Sequence, residues 1–579
     1  MNRLFGNFLA TSLGVLAASE GFSQSPAAPV TAAPPRVAVP GRGIESVRWE
    51  PWSAMRTAAA PILGWKIGVS GGALKRLTFF EAMEKADAVG IGDIEGFSSE
   101  KVSEEIPKSL GPTLLPGEIR GIKDKLNAVN MRMDAYHVPS LPPEEKSMRE
   151  LFDFARELSI ETIVSDTLPV SLPAVDKLAE EFGVNVAFCG APHALSTALR
   201  ELGKRVGACL DGESGDALKE LKERTLIVNV SGATSSDNLS GFLLRMYRLN
   251  VSPALIAVSP SSGEDLTVGL EHSFNNLEKA LVPVMTDKVD TMARSMPIRG
   301  PDRLSPEDRE HIEAALPKEA PAKPKKARKL LVLDLNIAYG GHRSIPAENF
   351  GLEQMGKQTG AYQAVFSNDL DNLKYPKIKD FDAVYLNNTV GMIFVDPAVR
   401  EGLLRFVREG GGLGGNHGTS HASMDWPEFH DMIGVTRGVH RASTEKAWVK
   451  VDDPNSPLTS AFAGKEFFYE DEYFRFPNPP YSRNKLHVLL SLDVEKTDMN
   501  QGQVFVPGSH ISRPDADYAV SWIREYGKGR VFFCILGHNP TLFTTPSLAK
   551  YFLAGIQYIL GDLQADATPS SKLSASTAK

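Results

Sequence analysis

From Trp65 onward the chain repeats one pattern eight times, a short apolar run followed by an amphipathic stretch of helical period. The apolar runs are WKIGVS, GIGDIEGF, NMRMDAYHV, TIVSDT, VNVAFCG, VGACLD, TLIVNVSG and ALIAVSP. Segments such as TFFEAMEKADAV, SMRELFDFARELS, LPAVDKLAEEF, ALSTALRELG and GDALKELKERT lie between them. The alternation reads as parallel strands with helical crossovers, because parallel neighbours need a connection long enough to run back over the sheet. Eight units over about two hundred residues match the size of a closed (β/α)8 barrel. An open doubly wound sheet is the competing arrangement, but no GxGxxG follows the first strand.

Such a barrel accounts for less than half of the 579 residues, and a chain this long exceeds what one core supports. A second domain is expected after the stretch MARSMPIRGPDRLSPEDREHIEAALPKEAPAKPKKARK, which mixes Pro, Lys and Glu. Within it, SPEDREHIEAAL reads as a short helix with Ser305 as N-cap and acids in its first turn. LPKEAPAKPKKARK favours extended, polyproline-like backbone and reads as a semi-rigid spacer. The expected organisation is a leader at 1–23, a disordered Pro/Ala segment at 24–60, a barrel at 61–285, a linker at 286–328, a second α/β domain at 329–563 and a disordered tail at 564–579.

The leader is expected because MNRLFGNFLATSLGVLAASEGFSQS has a basic start at Arg3, an apolar stretch from Phe8 to Ala18 and small residues before Gln24. That is a signal-peptide layout, too short to anchor in a bilayer, and it implies export to a bacterial periplasm or beyond. Only three cysteines occur, so stability comes from packing and not from a disulfide framework. Cys189 and Cys209 lie in successive apolar runs, where a bridge or two buried thiols are both open. With 63 Lys+Arg against 71 Asp+Glu, the net charge of −8 gives no electrostatic reason to expect nucleic acid. Small or neutral ligands and self-association stay open.

GWKIGVSGGALKRLTFFEAMEKADAVGIGDIEGF and DAYHVP resemble the xylose-isomerase-like, or sugar phosphate isomerase/epimerase, TIM barrels over roughly Trp65 to Met285. The resemblance implies a divalent metal held by ligands after strands five to eight. Barrel chemistry sits at strand carboxyl ends, and those ends depart from the family. Strand five ends in Phe188-Cys189-Gly190-Ala191, strand seven in Asn229-Val230-Ser231 and strand eight in Val258-Ser259-Pro260. Strand six keeps Asp211 but places Ser214 where the family has a histidine. One ligand out of a usual four does not hold the family's metal. Glu95, His137, Asp166, His193, Asp211 and Glu213 remain at the expected mouth, with Glu95, His137 and Asp211 the candidates for a surviving isomerase site. The alternative is that strand ends are polar because they meet water.

The second half opens with KLLVLDLNIAYGGHRSIP, an apolar strand, a glycine loop and a helix from about Ala347. DFDAVYLNNTVG reads as a second strand, and GGGLGGNHG follows the helix VREGLLRFVRE as a third. This is the pattern of a flavodoxin-like sheet, which binds ligands at strand carboxyl ends. The glycines are expected to supply a sharp turn with positive φ. GGHRSIP, YLNNTVG, GGGLGGNHG, DWPEFHDMIG, RGVH, YEDEYF and YGKGRVFFCILGH resemble, in order, the ThuA-like (trehalose-utilisation) family of class I glutamine-amidotransferase-like fold. In amidotransferases the elbow carries a nucleophilic Cys. Asn416 or His417 stands there instead, so glutamine hydrolysis is excluded.

What the second domain offers is imidazole. The resemblance places His342, His417, His440 and His538 with Glu472 at one site, whereas each histidine alone is more ordinarily a satisfied loop or core residue. His417, Glu472, His342 and His538 are the catalytic candidates, and His417, His440, Glu472 and His538 the candidate ligands of a divalent ion, zinc first among them. Without a metal the same groups suit proton transfer near neutral pH. Asn387, Asn388, Asn416 and Trp426 are candidates for contact with a carbohydrate, against turn capping for the asparagines and helix packing for Trp426. His421 and His430 fall off the motifs, and Cys534 in VFFCIL is expected to be a buried, unreactive thiol. The resemblance implies exported carbohydrate catabolism by metal-assisted or His/Glu acid-base chemistry on a glycoside, disaccharide or keto-sugar. A non-catalytic sugar-binding or scaffold protein and an isomerase in the barrel are the alternatives.

Overall fold

Each of the eight apolar runs contains a strand. In the computed structural model β1 (Ile67–Ser70), β2 (Asp93–Phe97), β3 (Arg132–Val138), β4 (Thr162–Ser165), β5 (Asn185–Cys189), β6 (Val206–Asp211), β7 (Thr225–Val230) and β8 (Leu255–Val258) pair in parallel, and β8 closes on β1. The structure describes residue 59 and residues 62–74, 77–261, 265–477, 479–499 and 513–576. The expected leader and all but one residue of the Pro/Ala segment lie outside the described residues. Among the described residues no helix is long and apolar enough to cross a membrane.

The barrel interior is filled by small and branched side chains, Ala135, Val164, Ala187, Cys209, Ile227, Leu255 and Ala257. Burying each Val, Leu or Ile there is worth about 1.5–3 kcal/mol. The crossovers are α1 (Phe79–Ala88), α2 (Pro116–Ala128), α3 (Glu145–Glu157), α4 (Leu172–Phe182), α5 (Pro192–Ala198), α6 (Ala217–Leu221) and α7 (Ser236–Arg248), and α8 (Leu266–Ser295) follows the last strand. α1 starts where sequence chemistry says it should. Thr78 Oγ1 accepts from Glu81 N while Glu81 Oε2 accepts from Thr78 N at 2.7 Å, a capping box that satisfies two free amides.

The chain divides into two units between Lys288 and Val289. In the second, β9 (Lys329–Leu333), β10 (Gln363–Phe366), β11 (Ala383–Asn387), β12 (Gly412–Asn416), β13 (Glu445–Val451), β14 (Phe467–Asp471), β15 (His487–Leu492), β16 (Ala519–Tyr526) and β17 (Gly529–Cys534) form one nine-stranded sheet. Its order is β10-β9-β11-β12-β17-β16-β15-β13-β14, parallel through β17 and antiparallel beyond. The parallel part has the doubly wound order 2-1-3-4-5, as a flavodoxin-like sheet requires. The antiparallel extension was not expected from the sequence. Helices α9 (Pro306–Ala315), α10 (Ile345–Thr359), α11 (Pro397–Glu409), α12 (Pro427–Ile433), α13 (Pro546–Leu560) and α14 (Ser570–Ser576) complete the unit.

Three expectations change. First, the glycines of GGGLGGNHG do not turn the chain out of the sheet, although Gly410, at φ 124°, caps α11 on the way in. Gly412, Gly414 and Gly415 lie in β12, and a Cβ on Gly412 would stand 2.1 Å from the Ile559 carbonyl oxygen of α13. They let α13 lie directly on the strand, while the left-handed residue of the turn is His417, at φ 37°. Second, residues 322–328 are not a free spacer. Ala322 N donates to Gln557 Oε1 at 2.8 Å, Lys325 N to Asp562 Oδ1 at 3.0 Å, and Arg328 pairs with Asp562 and Asp382. α9 does form with Ser305 as its cap, in a capping box with Asp308. Third, the stretch read as a disordered tail carries α14, and Ser570 N donates to Leu486 O at 3.0 Å while its hydroxyl accepts from Val488 N.

Candidate functional site

The carboxyl ends of β9, β12 and β17 face the same edge of the parallel sheet, and each is followed by a histidine. His342 lies in the loop before α10, His417 begins the 3-10 turn His417–His421, and His538 follows β17. Their rings form a near-equilateral trio with centroids 4.8, 5.1 and 5.1 Å apart, and one ring nitrogen of each lies within 4.8 Å of the others. His417 is fully buried, and its Nδ1 donates to the Ile535 carbonyl at 2.9 Å, which fixes the tautomer and turns Nε2 inward. That Nε2 makes no hydrogen bond, nor does the buried Nδ1 of His342. The ring of His417 stacks on Phe474, centroids 4.7 Å apart. Gly418 is needed for the approach, since a Cβ there would stand 2.7 Å from His342 Cε1.

Glu472, just after β14, closes the cluster. Its carboxylate lies 3.5 Å from His417 Nε2, 3.2 Å from His440 Nδ1 and 3.7 Å from His538 Nε2. The neighbouring residues hold it there. Asp471 accepts from Glu472 N at 2.9 Å, Gly537 N at 2.8 Å and Asn539 N at 3.1 Å, so one side chain clamps the His538 loop to the end of β14. Arg475 makes a buried ion pair with Glu445 of β13 and exchanges backbone hydrogen bonds with Val439, beside His440.

Burial and the neighbouring His417 and His538 hold His342 well below the usual imidazole range, and burial brings His538 down to about 4. Both are neutral imidazoles at neutral pH, the form a metal ion requires. Burial opposes a charge on His440, but the hydrogen bond and charge of Glu472 outweigh it and raise its pKa. Burial likewise opposes ionisation of Glu472, and the nearby rings of His417 and His440 overcome it, so the carboxyl lies well below its usual value.

The histidines and Glu472 expected at one site do come together, with a change of rank. The tight trio contains His342 in place of His440 and Glu472, which stand one layer out, with His440 Nδ1 also 2.8 Å from Arg441 O. The residues named for sugar contact are each engaged within the protein. Trp426 is buried, stacked on Phe429 and covered by Arg400, so it packs α12. Asn387 is buried and donates to Asn349 Oδ1 at 2.8 Å. Asn388 and Asn416 donate to Glu348 Oε2 at 2.9 and 3.2 Å, and Asn388 Oδ1 accepts from Gly418 N at 3.0 Å. These amides are buried and hold the elbow from beneath. Sequence reasoning missed Glu348, whose burial raises its pKa to about 8 despite those two amides. It also missed Phe474 and His421, whose rings lie 4.9 Å apart beside the cluster. YEDEYF contains Phe474, but an aromatic in a loop carries no sign of what it stacks on.

In the barrel, Glu95 and His137 meet, and Asp166 and Cys189 join them in place of Asp211. His137 Nδ1 lies 3.2 Å from Glu95 Oε1 and its Nε2 lies 2.8 Å from Asp166 Oδ1. Asp211 is exposed at the end of β6 and makes no side-chain hydrogen bond to this group. His193 is exposed beside Glu220, and Glu213 accepts from Thr234 Oγ1 at 3.0 Å. Burial works against a charge on His137, but Glu95 and Asp166 push its pKa to about 9. The three cysteines are free. Cys189 and Cys209 are register partners on β5 and β6, and burial lifts the Cys534 thiol to about 12, which makes it a poor nucleophile. With Ser214, Ser231 and Ser259 at the ends of the loops that carry the isomerase family's ligands, the barrel does not fit that family's metal set.

Residues 329–559 match the family model described as ThuA, trehalose utilisation. No curated protein matches the chain. Among solved structures, a putative ThuA-like protein from Bacteroides uniformis is 18% identical over 43% of this chain and 99% of its own, with a TM-score of 0.34. An uncharacterised protein from Parabacteroides distasonis is 18% identical over 37% of this chain and 98% of its own, TM-score 0.34. A sugar phosphate isomerase/epimerase from the same organism is 14% identical over 38% of this chain and 94% of its own, TM-score 0.30. At such identities the barrel rests on its closed strand order, and the second domain on the family match.

Proposed function

We propose that the ThuA-matching domain is an exported carbohydrate-processing enzyme that uses His342, His417 and His538 to hold a divalent cation, with zinc the best fit, and Glu472 and His440 to move protons. The observation that carries the reading is the trio itself: three imidazoles from three strand ends with ligand atoms within 4.8 Å, of which His417 Nε2 and His342 Nδ1 are buried and make no hydrogen bond. Buried polar atoms without partners cost about 1–3 kcal/mol each, and a cation removes that cost. Three imidazoles, two of them held neutral by burial, are the donor set of a catalytic zinc. Such an ion supplies a Lewis acid for a carbonyl or hydroxyl oxygen and a water of lowered pKa.

The protein groups then have separable tasks. His417 and His538 orient the pocket through Ile535 O and the Asp471 clamp. Glu472, ionised at neutral pH, accepts a proton from a substrate hydroxyl or water at its carboxylate. His440, whose pKa Glu472 raises, returns one to the departing oxygen. Phe474, stacked on His417, closes one face with an apolar ring. The substrate class is a glycoside, disaccharide or keto-sugar, which the trehalose-utilisation description supports.

Metal analysis of the purified protein, with turnover measured on disaccharides and their keto derivatives, tests the reading. One divalent ion lost in His417→Ala and retained in Glu472→Gln, with turnover lost in both and folding kept, is the expected result. Sugar binding without turnover, indifferent to both substitutions and to metal, would make this a binding protein instead.

A further inference from the structure

The barrel has a second cluster, independent of the imidazole trio. His137 at the end of β3, Asp166 just after β4 and Cys189 at the end of β5 each offer one ligand atom, all within 4.8 Å of one another. We propose that the barrel mouth binds a thiophilic divalent cation, zinc above all, through His137 Nε2, the Asp166 carboxylate and the Cys189 thiolate. These residues occupy strands three to five, whereas the isomerase family's ligands follow strands five to eight, so the site is a rebuilt one.

The neighbouring shell is what a histidine ligand needs. Nδ1 of His137 lies 3.2 Å from Glu95 Oε1, and the other Glu95 oxygen accepts from Ser70 Oγ at 2.7 Å. With Nδ1 donating to this buried carboxylate, Nε2 is left to the metal, the carboxylate–histidine–metal arrangement of known zinc sites. The His137 ring is further held by stacking on Phe97, centroids 4.4 Å apart. Its Nε2 lies 2.8 Å from Asp166 Oδ1, so two of the ligand atoms already face one another. Cys189 ends β5, in register with Cys209 of β6, so its thiol sits at the same strand-end level as the other two ligands. Asp166 is largely exposed and Cys189 partly so, which leaves an open coordination position toward the mouth. With bonds of ~2.0–2.3 Å, ligand atoms in a tetrahedral site lie roughly 3.3–3.8 Å apart, so small side-chain movements close it. Zinc accepts nitrogen, oxygen and sulfur together, whereas magnesium and calcium take oxygen.

The test uses the full chain, reduced and stripped of metal, with Co2+ and Zn2+ as probes. Co2+ should give a thiolate-to-metal charge-transfer absorption that disappears in Cys189→Ser and persists in His417→Ala, which touches only the other cluster. Glu95→Gln should keep the band while weakening affinity by about 10–100-fold, the behaviour of a positioning residue. On the unaltered chain, Zn2+ should slow alkylation of Cys189, read by peptide mass spectrometry, so the answer does not depend on any variant folding. No charge-transfer band, together with an alkylation rate indifferent to Zn2+, would overturn the proposal.

Discussion

At the scale of single residues, His417 concentrates the most conflict. It is fully buried, sits at φ 37° and still makes only one hydrogen bond through its ring. A side chain in the left-handed region costs about 1–3 kcal/mol and persists where the surroundings impose it. His417→Gly should therefore be more stable than His417→Ala by about 1 kcal/mol, in thermal or urea unfolding, although both lose the imidazole. Gly418 makes the complementary case. Gly418→Ala places a methyl 2.7 Å from His342 Cε1 and 2.9 Å from Val390 Cγ2, and pushes His342 off the trio. Misplacement of about 1 Å costs on the order of a hundredfold in turnover, so kcat should fall while the chain stays folded by circular dichroism. Glu348 predicts a pH effect. Its folded pKa of about 8 lies above the ordinary carboxyl value, so the folded state holds a proton that the unfolded state has lost. The stabilisation is complete below the unfolded value near 4.5 and is lost as pH rises toward 8. Glu348→Gln should flatten the decline in stability across that window, measured as the difference from the unaltered chain by urea titration.

At the scale of elements, the period of the sequence sets what is legible. All eight barrel strands lie within the apolar runs, because parallel strands covered on both faces read as continuous Val, Ile and Ala. β9, β11 and β12 are equally plain. β13 to β16 are not, since EKAWVKV and FFYED alternate with charge and pair in an antiparallel extension that lacks the regular strand–helix rhythm of the parallel part. The convergence of His342, His417 and His538 depends on sheet order and was reached only through the family's motifs, whereas the roles of Asn388 and Asn416 under the elbow depend on Glu348, a residue with no local signal. The glycines of β12 were visible and misread: they mark where α13 touches the strand. Gly412→Ala should therefore destabilise the protein by about 1–3 kcal/mol or more, since the clash is with the Ile559 backbone oxygen at 2.1 Å. The double variant Gly412→Ala/Ile559→Ala should unfold at a lower midpoint still, with no rescue, because trimming a buried side chain costs packing and does not move a carbonyl.

At the scale of the whole molecule, the division between Lys288 and Val289 falls inside α8, which runs from Leu266 to Ser295. A cut at the division would leave two frayed helix ends, so a separation that respects the elements comes after Ser295. Arg299 must stay with the second unit, since its backbone amide donates to Asp334 Oδ2 at 2.8 Å and its guanidinium to Asp334 O at 2.8 Å beneath β9. The same holds for residues 322–328, tied to Asp562 and Gln557 after and within α13. Each unit has its own sheet and its own core, and each has one candidate cation site built entirely from its own strand ends. The two fragments ending at Ser295 and beginning at Met296 should therefore each unfold cooperatively. Co2+ added to the first should give the sulfur-to-metal absorption, and Co2+ added to the second should give only the ligand-field bands of a nitrogen site. A second fragment that folds and yet binds no cobalt would remove the imidazole trio as a metal centre while leaving the barrel site standing, and the converse spectrum would do the reverse.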